Sequence, residues 1–128
     1  IRSGYEFSFS GLKSSVARYV ETHPEFDVND VAAAFVDASL DVLSTKVQRA
    51  IDQKKLATLA VVGGVAASPQ VRARMQHITE QAGISLCLPS QKWATDNAAM
   101  IAMATWDYIE QGLEKNLEPK PNLRLSDS

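Results

Sequence analysis

The sequence predicts an α/β fold that is rich in helix, and the order of its apolar segments is the main evidence. From Ala57 onward a strand, a helix, a second strand and a second helix follow one another, which favours parallel strands with helices on the sheet faces. A long amphipathic helix precedes them. The composition agrees, since 45% of the 128 residues are hydrophobic and 22% are charged, as in ordinary globular domains.

The N-terminal half is predicted to contain one strand and two helices. Residues 5–10 alternate large apolar with polar side chains, which is the period of a half-buried strand. An apolar stripe over residues 12–22 predicts the first helix, and Pro24 ends it. Asp27 is expected to cap a second helix that runs to about Lys54, with apolar side chains at spacings of mostly three to five.

The C-terminal half supplies the strand–helix–strand–helix order. A buried strand over 57–62 leads through a glycine turn to a helix over 69–81, which Gly83 ends. A second strand over 84–88 follows, and a last helix runs from near Thr95 to near Gly112. We expect residues 1–112 to form one lobe and residues 113–128, which are polar and contain two prolines, to form an extended or disordered tail.

Charge, cysteine content and chain ends narrow the class of protein. Thirteen Lys and Arg against fifteen Asp and Glu give a net charge of −2, so the chain as a whole is not a basic nucleic-acid module. The single cysteine, Cys87, is expected to be a buried strand residue and fits a reducing cytosol. No apolar run reaches the ~20 residues that span a bilayer. Because the chain begins at Ile1, we interpret it as a fragment of a longer protein.

The most informative segment, residues 59–69, joins the first parallel strand to the helix after it. Two glycines turn the backbone with little steric restriction, and Ser68 and Pro69 are favoured at a helix start. Together they direct backbone N–H groups at one point, which suits the phosphate or ribose of a nucleotide. The alternative is an ordinary strand-to-helix connection, because a full phosphate-loop signature is missing. The candidate nucleotide-binding residues are Gly63, Gly64, Val65 and Ser68.

A second candidate anion site lies near the N-terminus. Ser10, Gly11 and Lys13 bring a hydroxyl, an open backbone and an ammonium group to a strand end and helix start. The alternative is a simple strand end with a solvated lysine. Arg72 and Arg74, in the helix after the glycine turn, either line a surface that faces a polyanion or are solvated.

Asp96 is the candidate metal ligand. As a helix cap, Thr95 or Asp96 would satisfy the first N–H groups of the last helix, and a carboxylate there also favours the helix dipole. As a ligand, Asp96 suits a hard cation, or iron or zinc shared with imidazoles. His23 and His77 do not supply those imidazoles, since one is in a turn and the other is expected on a helix surface. The segment therefore does not complete a metal site by itself.

The last helix also carries several small residues, which allow another helix or a ligand to approach closely. The simpler interpretation is ordinary packing, with Met103 and Trp106 facing a core.

Three segments, taken in order, resemble one protein family. Residues 7–13 read FSFSGLK, residues 62–68 read VGGVAAS and residues 95–102 read TDNAAMIA. The chain resembles over residues 5–112 the C-terminal portion of the universal tRNA threonylcarbamoyladenosine transferases, formerly called O-sialoglycoprotein endopeptidases or glycoproteases. The resemblance implies one ribonuclease-H-like half of an actin, hexokinase and Hsp70-type ATPase fold, helix-rich and incomplete. It also implies that the last helix reaches toward the missing N-terminal half.

The resemblance implies a function as well. The family transfers a threonylcarbamoyl group from threonylcarbamoyl-AMP to N6 of adenosine 37 in tRNA. The glycine turn would then hold the adenylate or ATP. Asp96 would bind a divalent metal, iron or zinc, together with two histidines of an HxxxH motif in the N-terminal half. Implied partners are tRNA, that half, and accessory proteins of the pathway, in the cytoplasm.

The chain departs from the family pattern at identifiable positions. Ser68 stands where the family usually has asparagine, Ala94 stands where it often has cysteine, and the HxxxH motif is absent. The chain alone is therefore expected to be inactive. Two alternatives stay open: an Hsp70-like or sugar-kinase ATPase module, and a catalytically silent interaction fragment that self-associates. A peptidase is the weakest option, because no HExxH-type helix is present.

Overall fold

The structure, a computed structural model, describes residues 4–112, and the chain divides into two compact units at Thr95. The predicted tail, 113–128, lies outside the described residues. The first unit contains three helices and two short strands within its described part, and the second contains one helix. The elements are α1 Ser10–Thr22, α2 Val28–Lys54, β1 Thr58–Ala60, α3 Pro69–Ala82, β2 Ser85–Cys87 and α4 Ala98–Glu110.

The strand predicted at residues 5–10 is wrong. The segment before Ser10 is irregular, and α1 begins at Ser10 itself. Phe7 and Phe9 stack with 6.3 Å between ring centroids, and the Lys46 ammonium of α2 lies 5.9 Å from the Phe7 ring centroid. The alternating aromatic side chains therefore contact each other and α2. In the described part of the chain the sheet has only two strands, so the segment has no strand to pair with.

Helix α2 has the start and the end that its sequence predicts. The Asp27 carboxylate accepts hydrogen bonds from the N–H groups of Asn29 at 2.7 Å and Asp30 at 3.3 Å. The helix continues to Lys54, where Lys55 adopts a left-handed conformation with φ 50°. At 1.5 Å per residue the 27 residues make a rod of about 40 Å. This rod is the longest element of the first unit.

Removing the Asp27 cap is expected to destabilise the protein. Asp27→Ala leaves two N–H groups without their acceptor and should lower the free energy of unfolding by about 1 kcal/mol. Urea denaturation followed by circular dichroism measures the loss. Asp37→Ala is the matched control, because Asp37 is exposed within the same helix and caps nothing. Equal losses in the two variants would contradict the capping role.

The two strands pair in parallel, as the strand–helix–strand order predicts. Thr58 lies opposite Ser85, and Ala60 lies opposite Cys87, with α3 crossing between the strands. The N–H of Val61 donates to the Cys87 carbonyl at 3.1 Å, which extends the pairing past the end of β1. Both strands therefore end at the same edge of the sheet, where their following loops lie side by side.

The core of the first unit lies on one face of this sheet. Leu59 of β1 and Leu86 of β2 are half-buried against it, while their neighbours along each strand are exposed. The buried cluster comes from α2 and α3 and consists of Leu40, Ile51, Val71, Met75 and Ile78. The core thus fixes the position of α3 relative to the two strands.

The strand predicted at 57–62 is present as β1, but the expectation that this strand and Cys87 are buried is wrong. Val62 is 76% exposed, and Cys87 is an exposed free thiol. The physical reason is the two-fold period of a strand, which turns alternate side chains to opposite faces. Among the described residues α2 and α3 cover one face, so the other face remains in solvent.

Helix α3 begins and ends at the predicted residues. Ser68 is its N-cap, and its hydroxyl accepts from the N–H of Val71 at 3.5 Å. Pro69 takes the first helical position, where its missing N–H costs nothing. Gly83 ends the helix in a left-handed conformation with φ 66°.

The second unit is described through α4, which begins later than predicted. Its N-cap is Asn97, whose side-chain oxygen accepts from the N–H of Met100 at 3.0 Å, so the prediction that Thr95 or Asp96 caps the helix is wrong. No residue of α4 is buried. Met103 and Trp106 are 62% and 58% exposed, so the expectation that they face a core is wrong for the described residues.

Within residues 4–112, no helix combines the length and the apolar character needed to cross a bilayer.

Candidate functional site

The glycine turn follows β1 and is built around one residue with an unusual backbone. Gly63 has φ 87° and ψ 174°, a region that is essentially restricted to glycine. A 3-10 turn, Gly64–Ala67, follows and is closed by the Ala66 N–H donating to the Gly63 carbonyl at 2.9 Å. Helix α3 therefore begins one 3-10 turn after the glycines, rather than directly after them.

The turn is anchored on one side and open on the other. Ala66 is fully buried, whereas Val65 is 66% exposed. In the described part of the chain, the N–H groups of Gly64 and Val65 donate no hydrogen bond. A Cβ added at Gly63 or Gly64 would meet no protein atom within 4 Å. The turn is thus exposed and has two backbone donors without a protein acceptor, as a site for an anionic group requires.

Ser68 lies at the end of the same segment, but its hydroxyl already has a structural role. It donates to the side-chain oxygen of Gln70 at 2.9 Å and caps α3 through Val71. The structure therefore brings the four candidate residues into one short segment at the carboxyl end of β1. That nucleotide contacts come from all four stays a prediction. The Ser68 hydroxyl can donate to a ligand only by giving up its hydrogen bond to Gln70, whereas its second lone pair can still accept one.

Sequence reasoning missed the role of Arg72. Its Nε donates to the Ala66 carbonyl at 2.7 Å, and another guanidinium nitrogen donates to the Pro89 carbonyl. Arg72 is therefore not simply solvated, and a surface there that faces a polyanion stays a prediction. Arg74 instead pairs with Asp41 of α2 at 3.0 Å. Because Arg72 lies only six residues after Ala66, a bond between them could have been expected from the sequence. The bond to Pro89, in contrast, depends on the fold.

The segment after β2 forms the second side of the candidate site. It contains a 3-10 turn, Gln91–Trp93, and its Ala94 is 4% exposed. The side-chain amide of Gln91 donates to the Ala67 carbonyl at 3.3 Å, which joins this segment to the glycine turn. The two loops thus meet at the carboxyl ends of parallel strands, where open α/β sheets bind their ligands.

The second candidate anion site is a separate feature at the start of α1. The hydroxyls of Ser8 and Ser10 lie 3.2 Å apart, and Gly11 and Lys13 follow in the first turn. Lys13 is exposed and borders an apolar groove between α1 and α2 with a volume of about 510 Å³. The structure brings Ser10, Gly11 and Lys13 together in one helical turn, and anion binding there stays a prediction.

Asp96 is an exposed carboxylate at the start of the second unit. It does not cap α4, and among the described residues it makes no hydrogen bond or ion pair. No three His, Cys, Asp or Glu side chains cluster within residues 4–112. His23 stacks on Tyr19 at 4.2 Å, and His77 is exposed on α3. A carboxylate with no protein partner fits a metal ligand, but a complete site needs donors from elsewhere.

Comparison with known proteins identifies the family. A family model described as tRNA N6-adenosine threonylcarbamoyltransferase matches residues 1–103, which include the glycine turn and Asp96.

Individual relatives carry the same name. One from Thermosipho melanesiensis is 39% identical over 121 residues, which is 94% of this chain and 37% of the relative. One from Staphylococcus haemolyticus is 41% identical over 121 residues, covering 91% of this chain and 35% of the relative. One from Kosmotoga olearia is 38% identical over 112 residues, covering 88% of this chain and 34% of the relative.

The chain therefore spans about a third of the length of the curated relatives that it matches. The family model covers most of its 128 residues, in agreement with the resemblance of its three motifs. The chain belongs to the tRNA N6-adenosine threonylcarbamoyltransferase family.

Proposed function

We propose that this chain is the C-terminal, nucleotide-binding part of an enzyme that transfers threonylcarbamoyl from threonylcarbamoyl-AMP to N6 of adenosine 37 in tRNA. The observation that carries the proposal is the family match over residues 1–103. The open glycine turn supports it, because Gly64 and Val65 offer N–H donors that a phosphate or ribose oxygen can accept. A tRNA substrate also accords with a cytoplasmic location.

The proposal includes a fold for the whole protein. The parallel strand–helix–strand unit and the long α2 accord with one ribonuclease-H-like half of an actin, hexokinase and Hsp70-type ATPase architecture. The missing N-terminal half would close the nucleotide cleft and would supply the HxxxH imidazoles. Accessory proteins of the threonylcarbamoyladenosine pathway are proposed as further partners.

The proposed reaction is acyl-type transfer. The tRNA N6 amine forms a bond to the carbamoyl carbon, the bond from that carbon to the AMP phosphate oxygen breaks, and the amine loses a proton. AMP leaves with the electron pair. The glycine turn would hold the adenylate so that the carbamoyl group faces the amine. Asp96 would hold a divalent metal, which would act as a Lewis acid and polarise the carbamoyl carbonyl.

A direct assay tests this function. The full-length protein is incubated with threonylcarbamoyl-AMP and an unmodified tRNA transcript, and threonylcarbamoyladenosine is measured by mass spectrometry of the digested nucleosides. We expect the modified nucleoside, and none with a matched transcript that has guanosine at position 37. ATP hydrolysis or sugar phosphorylation without tRNA modification would favour the ATPase module instead.

The exposure of α4 favours a second candidate function, an interaction fragment. Six of its large apolar side chains are 42–62% exposed, among them Ile101 and Trp106, which is uncommon on a monomer surface. The chain by itself is then expected to self-associate. In sedimentation velocity, Ile101→Glu combined with Trp106→Glu should shift it to monomer, and Ala33→Glu, at an exposed position of α2, should not. A chain that is already monomeric at high concentration would contradict this function.

A further inference from the structure

One guanidinium connects the two loops at the carboxyl edge of the sheet. Arg72 projects from the first turn of α3 and donates Nε to the Ala66 carbonyl at 2.7 Å, inside the 3-10 turn after β1. It also donates to the Pro89 carbonyl, in the segment after β2. The acceptors lie on different loops, so the side chain fixes the distance between them.

The connection acts on the part of the glycine turn that is buried. Ala66 is fully buried, and its own N–H closes the turn by donating to the Gly63 carbonyl at 2.9 Å. On the exposed side, a Cβ added at Gly63 or Gly64 would meet no protein atom within 4 Å, so no packed neighbour surrounds the position of a side chain there. The conformation of the exposed side therefore depends on the hydrogen bonds of the buried side.

We propose that Arg72 is a positioning residue, which keeps the Gly63–Gly64 turn in its nucleotide-receiving conformation by bonding Ala66 to Pro89. This inference rests on the proposed function, since it assumes that the turn receives a nucleotide. It also makes the segment after β2 part of the same site, because movement at Pro89 is transmitted through Arg72 to the turn. Gln91, which donates to Ala67 at 3.3 Å, supports this coupling.

Two other roles for Arg72 are distinguishable from positioning. An arginine that attracts a polyanion by charge alone would be replaced without loss by lysine. Arg72 instead uses a planar fork to reach two carbonyls, and a lysine ammonium does not reproduce that geometry. A merely structural arginine would change the melting temperature of the protein but leave its nucleotide affinity unchanged.

The experiment uses the full-length protein with Arg72→Met and Arg72→Lys, and a fluorescent ATP analogue as the probe. Arg74→Met is the matched control, because Arg74 lies on the same helix and its side chain pairs with Asp41 of α2 instead of with a loop carbonyl. Binding is titrated well below the melting temperature of every variant. Amide hydrogen exchange is recorded in parallel for residues 62–67 and 89–94, without nucleotide.

We expect Arg72→Met to raise the Kd at least about tenfold, in line with the loss of charged hydrogen bonds, and Arg72→Lys to give an intermediate Kd. Both loops should exchange faster in Arg72→Met and not in Arg74→Met. Unchanged exchange in Arg72→Met, or full recovery of the Kd by lysine, would overturn the proposal. If the wild-type protein binds no nucleotide and Arg72→Met still exchanges faster at both loops, the coupling between the loops stands and the proposed function is rejected.

Discussion

Gly63→Ala is expected to weaken nucleotide binding by at least about tenfold. The Gly63 backbone lies at φ 87° and ψ 174°, where a Cβ costs about 1–3 kcal/mol. The substituted turn is expected to move to a negative φ, which redirects the N–H groups of Gly64 and Val65 away from their open surface. Titration of the full-length protein with a fluorescent ATP analogue measures the change in Kd.

Gly83→Ala is the matched control for this substitution. Gly83 also has a positive φ, 66°, and an added Cβ there also meets no protein atom within 4 Å. It ends α3 at the opposite end of the helix from Ser68, so its substitution should cost about 1 kcal/mol of stability and leave the Kd unchanged. If Gly63→Ala lost similar stability and kept its affinity, the turn would not be the nucleotide site.

Asp96→Ala is expected to remove the bound metal from the full-length protein and to lower tRNA modification by at least about a hundredfold. The physical reason is the loss of a direct ligand, which exceeds the 10–100-fold effects typical of groups that only support ligands. Metal content is measured by elemental mass spectrometry, which gives a readout independent of activity. Iron is the expected metal, and zinc is the alternative.

Asn97→Ala is the control that distinguishes the loss of a metal ligand from the loss of a helix cap. Asn97 accepts from the Met100 N–H at the start of α4, so its substitution should cost about 1 kcal/mol of stability while the metal stays bound. Unchanged metal content in Asp96→Ala would reject Asp96 as a ligand. Equal metal loss in both variants would show that the effect comes from the start of α4 and not from the carboxylate.

Features that depend on neighbouring residues were predictable from the sequence. Asp27 and Ser68 cap their helices because the N–H groups that they accept from lie two or three residues away. Gly83 ends α3 through its own backbone conformation. Parallel pairing followed from the strand–helix–strand order, since such a crossover brings the strands back in the same direction.

Features that depend on distant residues were not predictable in the same way. The alternating segment 5–10 has the period of a strand, but a strand also needs a hydrogen-bonded neighbour, and the sheet does not offer one among the described residues. Cys87 is exposed because, among the described residues of the first unit, α2 and α3 pack on one face of the sheet. At the start of α4 three consecutive residues can cap a helix, and the chain uses Asn97.

The same distinction between local and long-range features applies to the residues of the candidate site. Gly63 was predicted to form the turn because its positive φ requires glycine, which is a local property, and Gly64 follows it directly in sequence. Arg72 was missed because one of its acceptors, the Pro89 carbonyl, lies 17 residues away and comes close only once β1 and β2 have paired. Asp96 as a metal ligand stays a prediction that rests on the family resemblance, because no local sequence pattern distinguishes a ligand from a cap at that position.

The position of a bound adenylate tests the central claim most directly. A crystal structure of the full-length protein with threonylcarbamoyl-AMP is expected to place the phosphate or ribose within hydrogen-bond distance of the Gly64 and Val65 N–H groups. An adenylate bound at a different surface, with the Gly63–Gly64 turn in contact only with solvent, would contradict the account.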